Sequence, residues 1–205
     1  MRNNERKIMN FLVNKIVCAI GCVAKDNNSK LNAKHIAFAA MALALAVATS
    51  MIKVIKLPMG GSVTLFSMLF IVLIGYWYGI KTGLTAALAY GVLQLLLDPY
   101  ILNIPQVLLD YILGFGALGL SGIFSNSKHG LIKGYIVGVI GRFICSFLSG
   151  WIFFAVYTPE FFNSAILYSI VYNGSYIGLE AVITLVVIAL PPVNKALTYV
   201  KNNLV

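Results

Sequence analysis

The chain has 205 residues, of which 60% are hydrophobic and only 10% charged, and its mean hydropathy is +0.90. A soluble domain carries about 25% charged residues, so this chain cannot cover its own surface with polar groups, and lipid is its expected solvent. The net charge of +9 does not point to nucleic acid, because seven of the fifteen basic residues (Arg2, Arg6, Lys7, Lys15, Lys25, Lys30 and Lys34) precede the first long apolar run, as on the cytoplasmic side of a membrane protein, and no basic groove motif accompanies them.

Along the chain, residues 8–24 ("IMNFLVNKIVCAIGCVA") have the basic start and apolar centre of a signal peptide. Asn10, Asn14 and Lys15 interrupt that pattern, and no small-residue cleavage site follows. Polar positions recur at three- or four-residue steps, with Ile8, Leu12, Ile16, Ala19 and Val23 on the other side. The pattern predicts a basic amphipathic helix on the inner leaflet, part of an N-terminal extension over 1–34. Cys18 and Cys22 fall on one face of that helix and Cys145 lies far away. With His35 and His129 in unrelated segments, the cysteines read as small apolar fillers, and no metal site is expected.

From His35 on, apolar runs alternate with short punctuation. They predict membrane spans at about 35–54, 62–79, 81–98, 105–125, 131–157 and 163–191, together a six-helix domain over 35–192, followed by a cytoplasmic tail over 193–205. The second run is short and is flanked by interfacial Tyr76, Trp77 and Tyr78. Pro and Gly break the chain at "KLPMGGS", "GIKTG", "DPYILNIP", "SNSKHG" and "YTPEFFN". Lys and Arg place both termini inside, with Lys53 and Lys56 as exceptions facing Asp98 and Glu160 outside. No internal repeat is visible.

Polar groups inside a span are costly, and each is a candidate for function. Asp110 lies about 7–8 Å into the fourth span and is followed by Tyr111, while Tyr100 is in the loop before it. Tyr168, Tyr172 and Asn173 occupy the first turns of the last span. Ser146 and Phe154 sit in the outer half of the fifth. A carboxylate, an amide, phenols and aromatic faces thus share the outer half of the membrane, a chemistry suited to a small, flat, cationic ligand. Asp110 has two readings, a ligand's counter-charge or a headgroup-level cap. Asn173 reads equally as a helix–helix hydrogen bond or a ligand contact, and the tyrosines as an interfacial belt or a site. Deeper, Arg142 and Glu180 each lie about 16–17 Å from the inner ends of their spans and are expected to form a structural ion pair. The chain has no phosphate-binding loop and no Ser/His/Asp set, zinc-protease motif or paired-carboxylate motif, so an enzyme has little support.

Three stretches, "PQVLLDYILGFGALGLSG", "GRFICSFLSGWIFF" and "YSIVYNGSYIGLE", make residues 35–192 resemble the thiamine-specific S components of energy-coupling-factor (ECF) vitamin transporters. The resemblance implies an all-α integral membrane fold of about six spans, here with the extra N-terminal helix. It implies a thiamine site near the outer face, and it implies partners: a transmembrane coupling protein and two ATPase subunits, in a lipid membrane, with no cofactor and no nucleic acid. The family's acid–Tyr pair matches Asp110 and Tyr111, its loop Tyr matches Tyr100, and its last-helix Tyr and Asn match Tyr168 and Asn173. Ser146 stands where the family has His, Phe154 where an aromatic is often Trp, and Gly61 where the first outer loop can supply a Trp lid. Docking in this class uses small residues on the first helix, here assigned to Ala40 and Ala44. The alternatives are an S component for a thiamine precursor or another vitamin, and a non-transport membrane assembly protein that would not need these polar residues.

Overall fold

The computed structural model describes residues 33–160 and 162–203. The helix expected over 8–24, with Cys18 and Cys22, lies outside the described residues. Among the described residues, five helices are long and apolar enough to cross a membrane: α1 (Ala33–Met51), α3 (Ile80–Leu97), α4 (Ile104–Phe124), α5 (Gly130–Phe153) and α6 (Ala165–Ala189). Between α1 and α3 lie an antiparallel hairpin, β1 (Lys53–Lys56) with β2 (Ser62–Thr64), and helix α2 (Ser67–Tyr78).

The expected second span is therefore corrected. Residues 62–64 are a strand, not the start of a helix, and α2 has only 12 residues. At 1.5 Å per residue it is about 18 Å long, too short for a hydrocarbon core of about 30 Å. The hairpin turn begins at Pro58, and Met59 and Gly60 take left-handed φ values of 62° and 88°. Gly60 makes the second of these steps without a Cβ penalty. Ile55 pairs with Val63 and Lys56 with Ser62.

Helix α2 is apolar on every face, with Met68, Leu69, Ile71, Val72, Leu73 and Ile74 all buried. A helix of that kind belongs at the centre of a bundle, and α2 packs against α1, α3, the second half of α4, and α5. Small residues allow the tightest crossing. A Cβ on Gly119 of α4 would stand 2.5 Å from the Leu84 Cα of α3.

Helix α4 is irregular along its length. Asn103 caps it by accepting from the Gln106 amide (2.8 Å), and Pro105 fits the first turn, where no amide is needed. The helix widens to π geometry over Leu108–Leu113 and tightens to 3₁₀ over Ala117–Phe124.

After α6, Leu190 is extended and the chain re-enters a helix, α7 (Pro191–Asn203). The region expected as a tail is thus helical from Pro191. Leu197 packs against the core, and the Lys201 ammonium lies 3.9 Å from the Tyr76 ring centroid while donating to the Ser125 carbonyl. These contacts hold α7 across the end of the bundle opposite the hairpin.

Candidate functional site

A cavity opens at the hairpin end, walled by the hairpin and by residues of α3, α4, α5 and α6. All eight residues singled out from the sequence as ligand contacts line it: Gly61, Tyr100, Asp110, Tyr111, Ser146, Phe154, Tyr168 and Asn173. They come from five separate stretches of chain, and the fold brings them to one place.

Asp110 and Tyr111 sit in the π-helical segment of α4. Such widened turns recur at functional sites, because they re-aim side chains that a regular helix would point elsewhere. The Gln106 amide and the Ser149 hydroxyl both donate to Asp110 Oδ2, at 2.6 and 2.8 Å. Asp110 is therefore oriented; Asn103 is the cap of α4, and Asp110 bonds the first turn of that helix through Gln106. The Tyr111 hydroxyl accepts from the Tyr100 amide (2.8 Å) and donates to the Asp98 carbonyl (2.9 Å), which fixes the loop after α3. Tyr100 then stacks on Phe154, with centroids 5.8 Å apart and planes 25° apart.

From α6, Tyr168, Tyr172 and Tyr176 form a ladder at four-residue steps, with ring centroids 5.7 and 5.8 Å apart. The Tyr172 hydroxyl donates to the Pro58 carbonyl and accepts from the Gly61 amide (3.0 Å), and the Tyr168 hydroxyl approaches the Met59 sulfur (3.8 Å). The ladder thereby holds the hairpin turn. A Cβ at Gly61 would stand 2.5 Å from the Tyr172 hydroxyl, so the aromatic surface at this position comes from α6 and leaves no room for a hairpin side chain. Asn173 is satisfied within its own helix. It donates to the Ser169 carbonyl (3.0 Å) and accepts from the Tyr176 hydroxyl (2.9 Å), while its side chain faces the cavity.

Two further carboxylates, Asp98 and Glu180, frame the site. Lys53 and Asp98 form an ion pair between β1 and the end of α3. At the foot of the hairpin, Glu180 accepts from the Thr64 hydroxyl (2.7 Å), the Ser67 hydroxyl (3.1 Å) and the Met68 amide (3.2 Å). The expected Arg142–Glu180 ion pair is not formed. Lys53–Asp98 is the one ion pair among the described residues. Hydroxyls and a free helix N-terminus already supply Glu180 with donors, and the Arg142 guanidinium lies over the Phe115 ring, 4.0 Å from its centroid, facing the cavity.

The structure adds cavity residues that the sequence did not mark as ligand contacts: Gln106, Ser149 and Tyr176, Tyr172, which was noted only among the outer tyrosines, and Arg142, read there as structural. Three of these, Gln106, Tyr172 and Tyr176, had a usable signal. Gln106 is one helical turn before Asp110, and the three tyrosines repeat at i, i+4, i+8. Ser149, a second hydroxyl one turn after Ser146 in the same apolar run, carried no mark of its own.

The arrangement offers one oriented carboxylate, stacked aromatic faces, amides and hydroxyls, all in a water-accessible cleft. It is suited to hold a flat heteroaromatic ring bearing positive charge or amine donors. The described residues contain no cluster of His, Cys, Asp and Glu that would hold a metal ion.

A sequence profile of the thiamine transporter protein (Thia_YuaJ) family matches residues 36–200, the whole of this bundle. The chain belongs to that family. It is accordingly a multi-pass membrane transport protein and not an enzyme. Among relatives of this thiamine transporter family member, the thiamine transporter ThiT of Bacillus subtilis is 31% identical over 150 residues, covering 66% of this chain and 77% of the relative. The thiamine transporter ThiT of Lacticaseibacillus paracasei is 28% identical over 127 residues, covering 54% of this chain and 63% of the relative. The solved structure of ThiT from Listeria monocytogenes superposes with a TM-score of 0.62 at 24% identity, over 77% of this chain and 94% of that one, which supports the same all-helical fold.

Proposed function

We infer that the cavity is a thiamine-binding site facing the outside of a bacterial cell membrane, with both termini in the cytoplasm. The observation that carries this reading is Asp110, held by two donors on one oxygen in a cavity of aromatic and amide groups, within a chain of the thiamine transporter family. Asp110 accepts the vitamin's amine protons or offsets its thiazolium charge. Tyr111, Tyr100 and Phe154 line the ring faces, Tyr168, Asn173 and Ser146 meet polar edges, and Gly61 brings the hairpin turn close from above.

The chain acts as the substrate-binding S component of an ECF transporter. A separate transmembrane coupling protein and two ATPase subunits supply the energy, in keeping with the lack of a phosphate-binding loop in this sequence. Ala40 and Ala44 lie on the exposed face of α1, while Ala42 and Ala46 are buried in the bundle. The exposed pair is the proposed docking contact, since small residues let helices approach closely.

Calorimetric titration of the detergent-solubilised chain with thiamine tests the reading. We expect one-to-one binding, weakened at least a hundredfold in Asp110→Ala. That corresponds to about 2.7 kcal/mol, the scale of a charge-assisted bond lost in a desolvated site. Absence of binding by folded wild type overturns the assignment of thiamine. Binding undiminished in the variant removes Asp110 from the site.

A further inference from the structure

A second, smaller cavity of about 150 Å³ adjoins the first, on the side where β1 meets the end of α3. Four residues wall both cavities: Ser50, Lys53, Gln94 and Asp98. They form the partition, and the Lys53–Asp98 ion pair crosses it. The Asp98 side chain is the more open partner, 52% exposed against 20% for Lys53. Its backbone is fixed from the main cavity, where its carbonyl accepts from the hydroxyl of Tyr111, the neighbour of Asp110 (2.9 Å). Both carboxylates line the main cavity, Asp98 at the end of α3 and Asp110 two turns into α4.

The two acids keep different company. Asp110 is held by neutral donors, Gln106 and Ser149. Asp98 is held by a cation, through Oδ2. An exposed pair of this kind is weak, because water and salt compete for both partners. Lys53 can leave on its flexible four-carbon stem without any movement of the backbone. A cation arriving from water can therefore take its place on Asp98, and the carboxylate is neutralised before and after the exchange.

We propose that Asp98 is an encounter site for a small organic cation, which first exchanges with Lys53 at the partition and then passes inward to Asp110. This rests on the thiamine reading above, which supplies the permanent thiazolium charge, and adds to it a route and an order of contacts. The loops at the hairpin end are balanced as they stand, with Lys53 and Lys56 against Asp98 and Glu160. Removing Asp98 leaves a positive rim that repels a cation, and removing Lys53 leaves a negative rim that attracts one. A pair that only fastens the hairpin behaves differently: either substitution breaks the same bond, so both act in the same direction.

The test is stopped-flow measurement of thiamine association with the full chain in detergent, for wild type, Asp98→Asn, Asp98→Glu and Lys53→Gln. At low salt we expect Asp98→Asn to slow association about tenfold and Lys53→Gln to speed it about threefold. Asp98→Glu keeps the charge and should stay within about twofold of wild type. In about 1 M NaCl, where charges are screened beyond about 3 Å, all four proteins should fall within about twofold of one another. Shifts of the same sign in Asp98→Asn and Lys53→Gln overturn the encounter site and make the pair a clasp of the hairpin. Equal rates in all four proteins at low salt also overturn it and place solute entry away from this partition. Both of those outcomes leave the thiamine site standing. If folded wild type binds no thiamine in calorimetric titration, the thiamine reading itself fails and takes the encounter site with it.

Discussion

Glu180 joins the hairpin to the central helix. Its carboxylate collects two hydroxyls and a backbone amide from three positions within five residues, Thr64, Ser67 and Met68. The amide belongs to the first turn of α2, whose N-cap residue, Phe66, provides no capping side chain. Glu180 therefore does the capping from another helix, and negative charge at a helix N-terminus is favourable in itself. Replacing it with Ala leaves the Met68 amide and one of the two hydroxyls without an acceptor, since the Thr64 and Ser67 hydroxyls also bond each other (2.8 Å). Hydrogen bonds to a charged group contribute about 1.5–3 kcal/mol each, and three sharing one acceptor are not additive, so the expected loss is roughly 3 kcal/mol. Thermal unfolding in detergent should show a clear drop in Tm for Glu180→Ala. Glu180→Gln, which keeps one acceptor oxygen, should lie between that variant and wild type. The depth of Glu180 and Arg142 in their spans was legible in the sequence, and so was the expense of leaving either unpartnered. Their partners were not. Opposite charges at one level suggest each other, whereas hydroxyls, an amide and a phenyl ring carry no mark in the sequence of what they will neutralise. Asp110 and Asn173 were more legible because a polar side chain in an apolar stretch needs a reason wherever its partners lie.

The hairpin is the element that covers the site, and besides the Glu180 bond it is fastened at two points of unequal strength. At its base the Lys53–Asp98 pair has side-chain exposures of 20% and 52%. Surface pairs of this kind contribute about 0–1 kcal/mol. At its tip, the Tyr172 hydroxyl makes two bonds, a part-buried one with Gly61 and an exposed one with Pro58. The tip is the stronger fastening and should govern release. Tyr172→Phe keeps the ring and removes both bonds, at about 1 kcal/mol each. Stopped-flow measurement should show thiamine leaving about tenfold faster, with the association rate within about threefold of wild type, since interface changes act chiefly on dissociation. An unchanged dissociation rate would place the barrier elsewhere. The turn itself was legible at Pro58, Gly60 and Gly61, but the strands were not. Residues 62–64 merge into the apolar run of α2, and a short apolar stretch has no period by which strand and helix are told apart. The π-helical turn at Asp110 was equally hidden, because it depends on how α4 packs and leaves no trace in composition.

At the scale of the molecule, α1 divides the bundle's interior from a face with no partner among the described residues. Ala42 and Ala46 close against the core, and Ala37, Ala40, Ala44 and Ala48 leave a flat exposed stripe along the helix. The membrane class and the number of apolar helices could be read from composition and run length, because lipid demands them of any chain that crosses it. Which alanines face outward could not, since "AFAAMALALAVA" supports several registers. Lipid would tolerate large apolar residues on this face as well as small ones, so the stripe acquires meaning only if another helix comes close. Ala40→Trp with Ala44→Trp adds two large rings there without touching the cavity at the hairpin end. The doubly substituted chain should bind thiamine with an affinity within about twofold of wild type. It should fail to co-purify with the proposed coupling protein and ATPase subunits, and uptake of labelled thiamine by cells should fall to background. Uptake at the wild-type level would mean that the coupling protein meets a different face. Loss of binding along with assembly would mean that α1 shapes the cavity from behind. Only loss of assembly with binding preserved fits a bundle that holds its solute at one end and is moved as a body by a partner along its side.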